Sequence, residues 1–315
     1  MSIAVAIAFV LAGFILLMWS ADKLVDNASE LAGRLGVSTF LVGIIIVGFG
    51  TSAPELFVSA MAALEDKGNL ALGNALGSNI TNIGLVLGSA ALIKALPVNR
   101  GTATKDIPIV LVTGLMSIFL ILDGQLSHID GAILIVVLLS YLIWSAKSSQ
   151  TSETSQENNH QPSDQALWQC TAWTIGSIVV LIVASRILVE GAVTIAEFFE
   201  VGELVIGLTI VAIGTSLPEL AAAIAAARKG VHDMIIGNII GSNVFNTLGV
   251  LGVTGAIRAT EIDTSALWRD FPVMFIFTSL MLVFALTRGK FSRFEGGVLL
   301  IGYISYLGYL FYIAV

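Results

Sequence analysis

The sequence predicts an all-α polytopic membrane protein with ten transmembrane helices, arranged as two inverted five-helix repeats. Three observations lead to this prediction: an apolar composition, a polar pattern that occurs twice at a constant offset, and an uneven distribution of basic residues. The 315 residues are 56% hydrophobic and 12% charged, whereas a soluble domain carries about 25% charged residues. This composition excludes an ordinary soluble domain and indicates a chain that crosses a bilayer several times.

Hydropathy divides the chain into ten apolar spans. They cover residues 3–21, 37–63, 70–94, 106–122, 129–146, 167–190, 201–227, 234–257, 271–287 and 296–314. Apolar spacing continues beyond the first and sixth spans, toward Leu35 and Phe199, so both helices are expected to extend past the membrane edge. The segment 148–165 is rich in Ser, Thr, Gln, Asn and Glu, a composition typical of a flexible linker. We therefore predict a first repeat over 1–147, a linker over 148–166 and a second repeat over 167–315.

The second and seventh spans carry the same break in an apolar helix. Gly50 to Glu55 reads Gly-Thr-Ser-Ala-Pro-Glu, and Gly214 to Glu219 reads Gly-Thr-Ser-Leu-Pro-Glu. A proline removes one helical donor and displaces the carbonyl four residues earlier, which in hydrocarbon needs another partner, such as a bound cation. On one stripe of this helix Glu55 lies beside polar groups, and the second copy repeats the arrangement. The two stripes contain Gly48, Ser52 and Ser59 in the first copy, and Ala212, Thr215, Ser216 and Glu219 in the second.

The third and eighth spans carry a complementary polar stripe. Asn74, Ser78 and Asn82 are spaced four residues apart, and Asn238, Ser242 and Asn246 repeat them 164 residues later. Neighbouring glycines at 73, 77, 237 and 241 favour close helix contact. Together the four helices are expected to form a cage of carboxylate, amide, hydroxyl and carbonyl oxygens.

The duplication covers nearly the whole chain and has an odd number of spans per copy. Lys105-Asp106-Ile107-Pro108 matches Arg269-Asp270-Phe271-Pro272 at the same offset, which becomes 165 near the chain ends. Copies with five spans enter the membrane from opposite sides. With the N-terminus outside, 11 of the 15 basic residues face the cytoplasm, in agreement with the positive-inside rule. Both termini are therefore predicted outside, and the linker in the cytoplasm.

Oxygen-only ligation is typical of hard cations. Two glutamates supply about two negative charges, which match one Ca²⁺ or a small set of Na⁺ ions, and a charged residue at mid-membrane depth costs roughly 3 kcal/mol or more without a partner. Neither Lys nor Arg occurs at that depth in the four motif spans, so a cation or a proton is the expected partner of each glutamate.

The paired GTSxPE and GNxxGSNxxN motifs resemble the alpha repeats of the calcium/cation antiporter superfamily, and within it the prokaryotic sodium/calcium exchanger type. The resemblance implies exchange of Na⁺ for Ca²⁺ by alternating access, with movement of the first and sixth spans against the other eight. It implies a metal site without any resident cofactor, in a protein of the prokaryotic inner or plasma membrane. Asn246 stands where potassium-dependent members have Asp, which argues against K⁺ co-transport.

By motif position, the resemblance assigns the ion ligands. Glu55 and Glu219 would be shared ligands, and Asn82 and Asn246 would complete the centre. Further oxygens, some from the backbone, would come from Thr51, Ser52, Ser78, Thr215, Ser216 and Ser242. Gly48 and Ala212, on the same stripes as the glutamates, complete the predicted metal set.

Several alternatives stay open at this point. A H⁺/Ca²⁺ antiporter would use the same glutamates. A channel is disfavoured by the internal inverted repeat, and an enzyme by the lack of a catalytic motif near the glutamates. Neither the oligomeric state nor the coupling ion is fixed. The expected partners are Na⁺, Ca²⁺ or H⁺ and lipid, not nucleic acid.

Two groups of polar residues each have two possible roles. Packing between helices is as good an explanation as ion binding for four asparagines: Asn74, Asn79, Asn238 and Asn243. The charged residues near the ends of the first and sixth spans are either interfacial anchors or part of a vestibule: Asp22, Asp26, Arg186 and Glu190.

Overall fold

The computed structural model describes residues 1–150, 166–199, 212–263 and 266–314. These residues form helices α1 to α12 and four short strands, β1 to β4. The helices are α1 Ile3–Leu35, α2 Thr39–Thr51, α3 Ala53–Leu64, α4 Gly68–Ile93, α5 Thr102–Ile121, α6 His128–Gln150, α7 Leu167–Phe198, α8 Ala212–Thr215, α9 Leu217–Lys229, α10 His232–Ile257, α11 Leu267–Arg288 and α12 Arg293–Ala314. The strands are β1 Leu96–Pro97, β2 Gln125–Leu126, β3 Thr260–Glu261 and β4 Lys290–Phe291.

The membrane-spanning character that the composition predicts is present in the described helices. Eight of them are long and apolar enough to cross a bilayer, and the bent pair α2 and α3 makes a ninth span. The remaining predicted span, 201–227, begins in residues outside the described ranges, and its described part is α8 and α9. α1 and α7 continue to Leu35 and Phe198, as the apolar spacing predicts. The predicted linker lies almost wholly outside the described residues.

Strand pairing shows directly that the two repeats are inverted. β1 and β3 follow the third span of their repeats, whereas β2 and β4 follow the fourth. β1 pairs with β4, and β2 pairs with β3, both antiparallel. Within one repeat these two connections lie at opposite ends of the fourth span. The connection after the third span of each repeat pairs with the connection after the fourth span of the other. This pairing requires the two repeats to have opposite orientations.

The helices that carry the polar motifs form the centre of the molecule. The most apolar stretch of α10 is entirely buried, and most of the corresponding stretch of α4 is buried as well. α1 and α7 pack along each other at the periphery and expose large apolar side chains such as Leu11 and Ile15, as helices that face lipid do. The polar motifs are thus placed as far from lipid as this fold allows.

Glycines bring α10 against α2. A Cβ atom at Gly237 would lie 2.3 Å from the carbonyl oxygen of Phe40, and one at Gly241 would lie 2.4 Å from that of Ile44. This is the close contact that the small-residue stripe predicts. Gly73 and Gly77 make no such contact with described residues. The positions equivalent to Phe40 and Ile44 in the second repeat, 204 and 208, lie outside the described ranges.

Candidate metal centre

The motif helices break at the same residue in both repeats. α2 ends at Thr51 and α3 begins at Ala53, with a bend of 43° between them. Ser52 at this break has φ −86° and ψ 7°, and Ser216 at the second break has φ −91° and ψ 7°. Pro54 and Pro218 lie in the first turn of the helix that follows, a position that tolerates the missing N–H. The two proline motifs therefore fold in the same way and place a glutamate in the first turn after each break.

One of the carbonyls released by a proline has a partner within the protein. Pro218 cannot donate to Gly214, and the carbonyl oxygen of Gly214 instead accepts a 2.7 Å hydrogen bond from the hydroxyl of Ser185 on α7. From the sequence, such carbonyls are expected to bind a cation. The carbonyl of Gly214 instead binds a hydroxyl from a neighbouring helix, and this hydrogen bond connects α7 to the break between α8 and α9.

The two glutamates lie in the protein interior, one from each repeat. Each is 1% exposed, and Glu219 reaches the break that precedes Glu55. Ser52 donates a 2.9 Å hydrogen bond to Oε1 of Glu219. Among the described residues, Oε2 of Glu219 and both carboxyl oxygens of Glu55 have no hydrogen-bond donor. Three buried carboxyl oxygens are thus available to a cation or a proton, since buried polar atoms without any partner are costly.

Hydroxyl and amide groups of α2 and α10 meet beside the glutamates. The hydroxyl of Thr51 donates to the carbonyl of Val47 at 2.9 Å and lies 3.5 Å from Oδ1 of Asn238. The hydroxyl of Ser242 donates to the carbonyl of Gly48 at 3.2 Å. These contacts join a stripe from one repeat to a stripe from the other, as the cage hypothesis requires.

The two asparagines at the ends of the polar stripes are buried and unpartnered. Asn82 is 1% exposed and Asn246 is 0% exposed. Neither side-chain oxygen nor nitrogen has a hydrogen-bond partner among the described residues. Both lie in short π-helical segments, Asn82–Leu87 and Phe245–Val250, and such segments occur frequently at functional sites. Each amide can turn its oxygen toward an ion.

The other predicted ligands are less uniformly placed. Ser78 and Ser216 are buried, and the hydroxyl of Ser216 has no partner among described atoms. Thr215 is half-buried and Ala212 is the first residue of α8. The arrangement thus brings oxygens of both repeats together, but with different hydrogen bonding in each half.

Asn74 and Asn238, which are equivalent in sequence, have different surroundings. Asn74 donates to the carbonyl of Glu55 at 3.1 Å and to the hydroxyl of Ser59 at 2.9 Å, which are packing contacts within the first repeat. Asn238 is buried, with its oxygen near Thr51 and its nitrogen unpartnered among described groups. Asn238, whose role the sequence left open, lies against Thr51 and Ser242 of the predicted site. In the sequence, the only indication of this placement is that Asn238 lies on the same helical stripe as Ser242 and Asn246.

Asn79 and Asn243, the other pair left open, are partnered through their amide nitrogens, whereas both side-chain oxygens are buried without a partner among the described residues. Asn79 donates to the hydroxyl of Thr247 at 2.8 Å, and Asn243 donates to the carbonyl of Ile239 at 2.7 Å. The Asn79 amide thus joins α4 to α10, whereas the Asn243 amide bonds only within its own helix.

A cavity of about 270 Å³ leads from the surface toward the second break. It separates α3 from α7, and its lining includes Val58, Arg186, Glu190, Gly214 and Thr215. Of the two readings of Arg186 and Glu190, the vestibule is therefore the one that the cavity supports. Thr215 lines this cavity, so the cavity adjoins the second motif.

Comparison with known proteins agrees with this geometry. The family model for sodium/calcium exchanger proteins matches residues 5–147 and 170–312. Inner membrane protein YrbG of Escherichia coli strain K12 is 38% identical over 98% of this chain and 98% of its own length. Sodium/calcium exchanger MaX1 of Methanosarcina acetivorans is 28% identical over 99% of this chain and 100% of its own length.

A solved structure extends the similarity to three dimensions. The sodium-calcium exchanger NCX_Mj, soaked with 2.5 mM Na⁺ and 10 mM Sr²⁺, is 32% identical and superposes with a TM-score of 0.86, covering 98% of this chain and 99% of that one. The family is one of ion exchangers, which confirms the prediction of a transporter rather than an enzyme. Two matched repeats, a shared fold and a buried oxygen site between the repeats lead to one conclusion: the chain belongs to the sodium/calcium exchanger family.

Proposed function

We propose that this protein is a secondary active transporter that exchanges Na⁺ for Ca²⁺ across the membrane by alternating access. The observation that carries the proposal is the buried pair Glu55 and Glu219, one from each inverted repeat, with three carboxyl oxygens that lack a hydrogen-bond donor among the described residues. The exchange named for MaX1 and for NCX_Mj supports the same reaction here.

The donor set favours hard cations. Carboxylate, hydroxyl and amide oxygens suit Ca²⁺ and Na⁺, and two carboxylates balance one Ca²⁺ or a few Na⁺ ions. Because the same oxygens serve both ions, the binding of one excludes the other, which is the basis of exchange. The proposed ligands are the predicted ones, with Asn238 added: Gly48, Thr51, Ser52, Glu55, Ser78, Asn82, Ala212, Thr215, Ser216, Glu219, Asn238, Ser242 and Asn246.

The two repeats and the sidedness of the membrane follow from the same proposal. We assign the repeats to 1–147 and 167–315, with the linker 148–166 in the cytoplasm and both termini outside. The excess of basic residues on the linker side supports this orientation, in an inner or plasma membrane. With that sidedness, the cavity beside Arg186 opens to the outside.

A H⁺/Ca²⁺ antiporter is the second candidate. The carboxyl group of Glu55 accepts no hydrogen bond from the described residues, so a proton could replace a cation there. Asn246, which is neutral, provides no third protonatable group in either reaction.

Ion flux in proteoliposomes decides between these candidates. The purified chain is reconstituted, and Ca²⁺ uptake is measured with Na⁺, H⁺ and K⁺ gradients imposed separately at a clamped membrane potential. Na⁺/Ca²⁺ exchange predicts uptake that is driven by an outward Na⁺ gradient and is unaffected by K⁺. Uptake under a pH gradient alone would instead support the proton antiporter, and the absence of uptake under every gradient would refute both.

A further inference from the structure

Three charged positions at one end of the fold have charged equivalents at the other. At the 164-residue offset, Asp22 matches Arg186, Asp26 matches Glu190 and Lys229 matches Glu65. Because the repeats are inverted, the first set lies on the linker side and the second on the opposite side. Each set has two members on a long peripheral helix, α1 or α7, and one at the end of a broken motif helix, α9 or α3.

On the linker side the charges are paired. Nζ of Lys229 lies 2.7 Å from Oδ1 of Asp26 and 3.8 Å from Oδ1 of Asp22. It also donates to the carbonyl of Asp22 at 2.7 Å. We call these contacts the inner ion pair. α1 packs against α9 at this end, so the inner ion pair fastens α1 to the motif helix where the two meet.

On the other side the equivalent charges are apart. Arg186 makes no ion pair with a described residue. Its guanidinium lies 5.4 Å from the ring centroid of Phe57. Glu65 pairs with its neighbour Lys67 at 2.7 Å, and that lysine lowers the pKa of the Glu65 carboxyl. Arg186 lines the cavity between α3 and α7, whereas Glu65 lies beyond it at the end of α3.

This contrast has a simple geometric meaning in a pseudo-symmetric transporter. If inward and outward states exchange the conformations of the two repeats, a contact formed in one half must open when its equivalent in the other half forms. If α7 slides along α3 as the cavity closes, Arg186 moves from Phe57 toward Glu65, about two helical turns farther along α3. The combined reach of these two side chains is no shorter than that of Lys229 and Asp26. Glu190, one turn from Arg186, would repel Glu65, so Arg186 carries the attraction alone.

We propose that the inner ion pair and an outer ion pair between Arg186 and Glu65 form alternately, so that these residues position α1 and α7 in the two access states. The proposal rests on the alternating access proposed above. The inner pair stabilises the state described here, with the cavity open. The outer pair stabilises the state in which the cavity is closed and the linker side is open. Glu65 exchanges one exposed partner, Lys67, for another, a change that costs little at the surface.

Two equivalent reporter positions test the proposal. Val58 lines the cavity, and its equivalent Ala222 is 3% exposed. Val58→Cys and Ala222→Cys are made separately and labelled with a membrane-impermeant maleimide, the first in right-side-out vesicles and the second in inside-out vesicles, because the two positions open to opposite sides. Cys170, the one native cysteine, is buried, and its background labelling is measured without either reporter. The ratio of the two labelling rates, Ala222→Cys over Val58→Cys, reports the balance of access states.

Opposite shifts of this ratio are expected. Lys229→Gln removes the inner ion pair and should raise the ratio about two- to five-fold, the effect of losing one partly exposed ion pair. Glu65→Gln removes the outer ion pair and should lower the ratio by a similar factor. Exchanging the charges, with Glu65→Arg and Arg186→Glu together, should bring the ratio back to the parent value or above it, because Glu190 then attracts the side chain at position 65 instead of repelling it. Arg258→Gln, which breaks the exposed pair with Asp66, is the matched control and should leave it unchanged.

A ratio that both substitutions leave unmoved, or move in the same direction, overturns the proposal. If Lys229→Gln does not reach the membrane, Asp26→Asn removes the same pair and is judged by the same criterion. Ca²⁺ uptake by the unsubstituted chain, measured in parallel, separates the two levels of inference. Normal uptake with an unmoved ratio refutes only the ion pairs, whereas absence of uptake refutes the exchange function itself.

Discussion

Ser52 in the first repeat donates a 2.9 Å hydrogen bond to Oε1 of Glu219 in the second. The equivalent hydroxyl, that of Ser216, is buried without a partner among described residues, and so is the carboxyl group of Glu55. Two motifs with the same polar residues are therefore in different hydrogen-bonding states. The serine of the first motif is therefore hydrogen-bonded to the glutamate of the second, whereas the serine of the second motif makes no equivalent bond to the glutamate of the first.

This asymmetry predicts unequal effects of two equivalent substitutions. Ser52→Ala leaves a buried carboxyl oxygen without its donor and should reduce the free energy of unfolding by about 1–3 kcal/mol. Ser216→Ala removes a hydroxyl that bonds to no described group and should change it by less than about 0.5 kcal/mol. Thermal unfolding in detergent without Ca²⁺ measures both, and equal destabilisation would contradict the asymmetry.

Neutralising either glutamate should abolish exchange without unfolding the protein. Glu55→Gln and Glu219→Gln keep the side-chain volume but remove a charge that a bound cation needs, so Ca²⁺ uptake should fall to the level of protein-free liposomes. Since burying a charge is costly, the unfolding temperature without ions should stay the same or rise. Glu261→Gln, at an exposed strand residue, is the control and should retain full uptake. Uptake at the parent rate in either buried variant would remove that glutamate from the site.

Much of this arrangement follows from sequence alone, for physical reasons that can be named. Ten apolar spans and a polar motif repeated at one offset leave few ways to hide two glutamates from lipid. The different roles of Asn74 and Asn238 did not follow from their shared motif position, because each amide depends on its partners: Asn74 donates to Ser59, whose equivalent in the second repeat is Ala223, which has no hydroxyl. The partner of Gly214 was also hidden, since Ser185 corresponds to Ala21 in the first repeat and belongs to no repeated motif.

Ser185 should contribute to stability through that single hydrogen bond. Ser185→Ala removes the donor to the carbonyl of Gly214 and should cost about 1 kcal/mol of unfolding free energy, whereas Ser185→Thr should retain most of it. Ser177, on the same helix, is buried and its hydroxyl has no partner among described atoms, so Ser177→Ala is the matched control. Comparable losses in the two alanine variants would show that the contact with Gly214 has no special role.

Close packing of α2 and α10 should be intolerant of even one methyl group. Gly241→Ala would place a Cβ 2.4 Å from a backbone oxygen of Ile44, and separating the helices should cost about 1–3 kcal/mol or more. Gly33→Ala makes the same substitution at an exposed helical position with no described atom within 4 Å and should be neutral or stabilising. Unfolding temperature and Ca²⁺ uptake should both fall in the first variant only. An unfolding temperature unchanged in Gly241→Ala would contradict the packing.

A third carboxylate at the centre should change the dependence on protons and monovalent ions. Asn246→Asp adds a negative charge, when deprotonated, at a buried position of the proposed ligand set, and that charge needs a further cation. At low pH the new carboxyl group is protonated and neutral, like the native amide, so Ca²⁺ uptake should resemble that of the parent. As pH rises it loses its proton, and uptake should become more dependent on Na⁺ or K⁺ concentration. Uptake measured across pH with and without K⁺ tests this, with Asn99→Asp, in an exposed loop, as control. If Asn246→Asp and Asn99→Asp give the same pH profile, Asn246 does not face the transported ions.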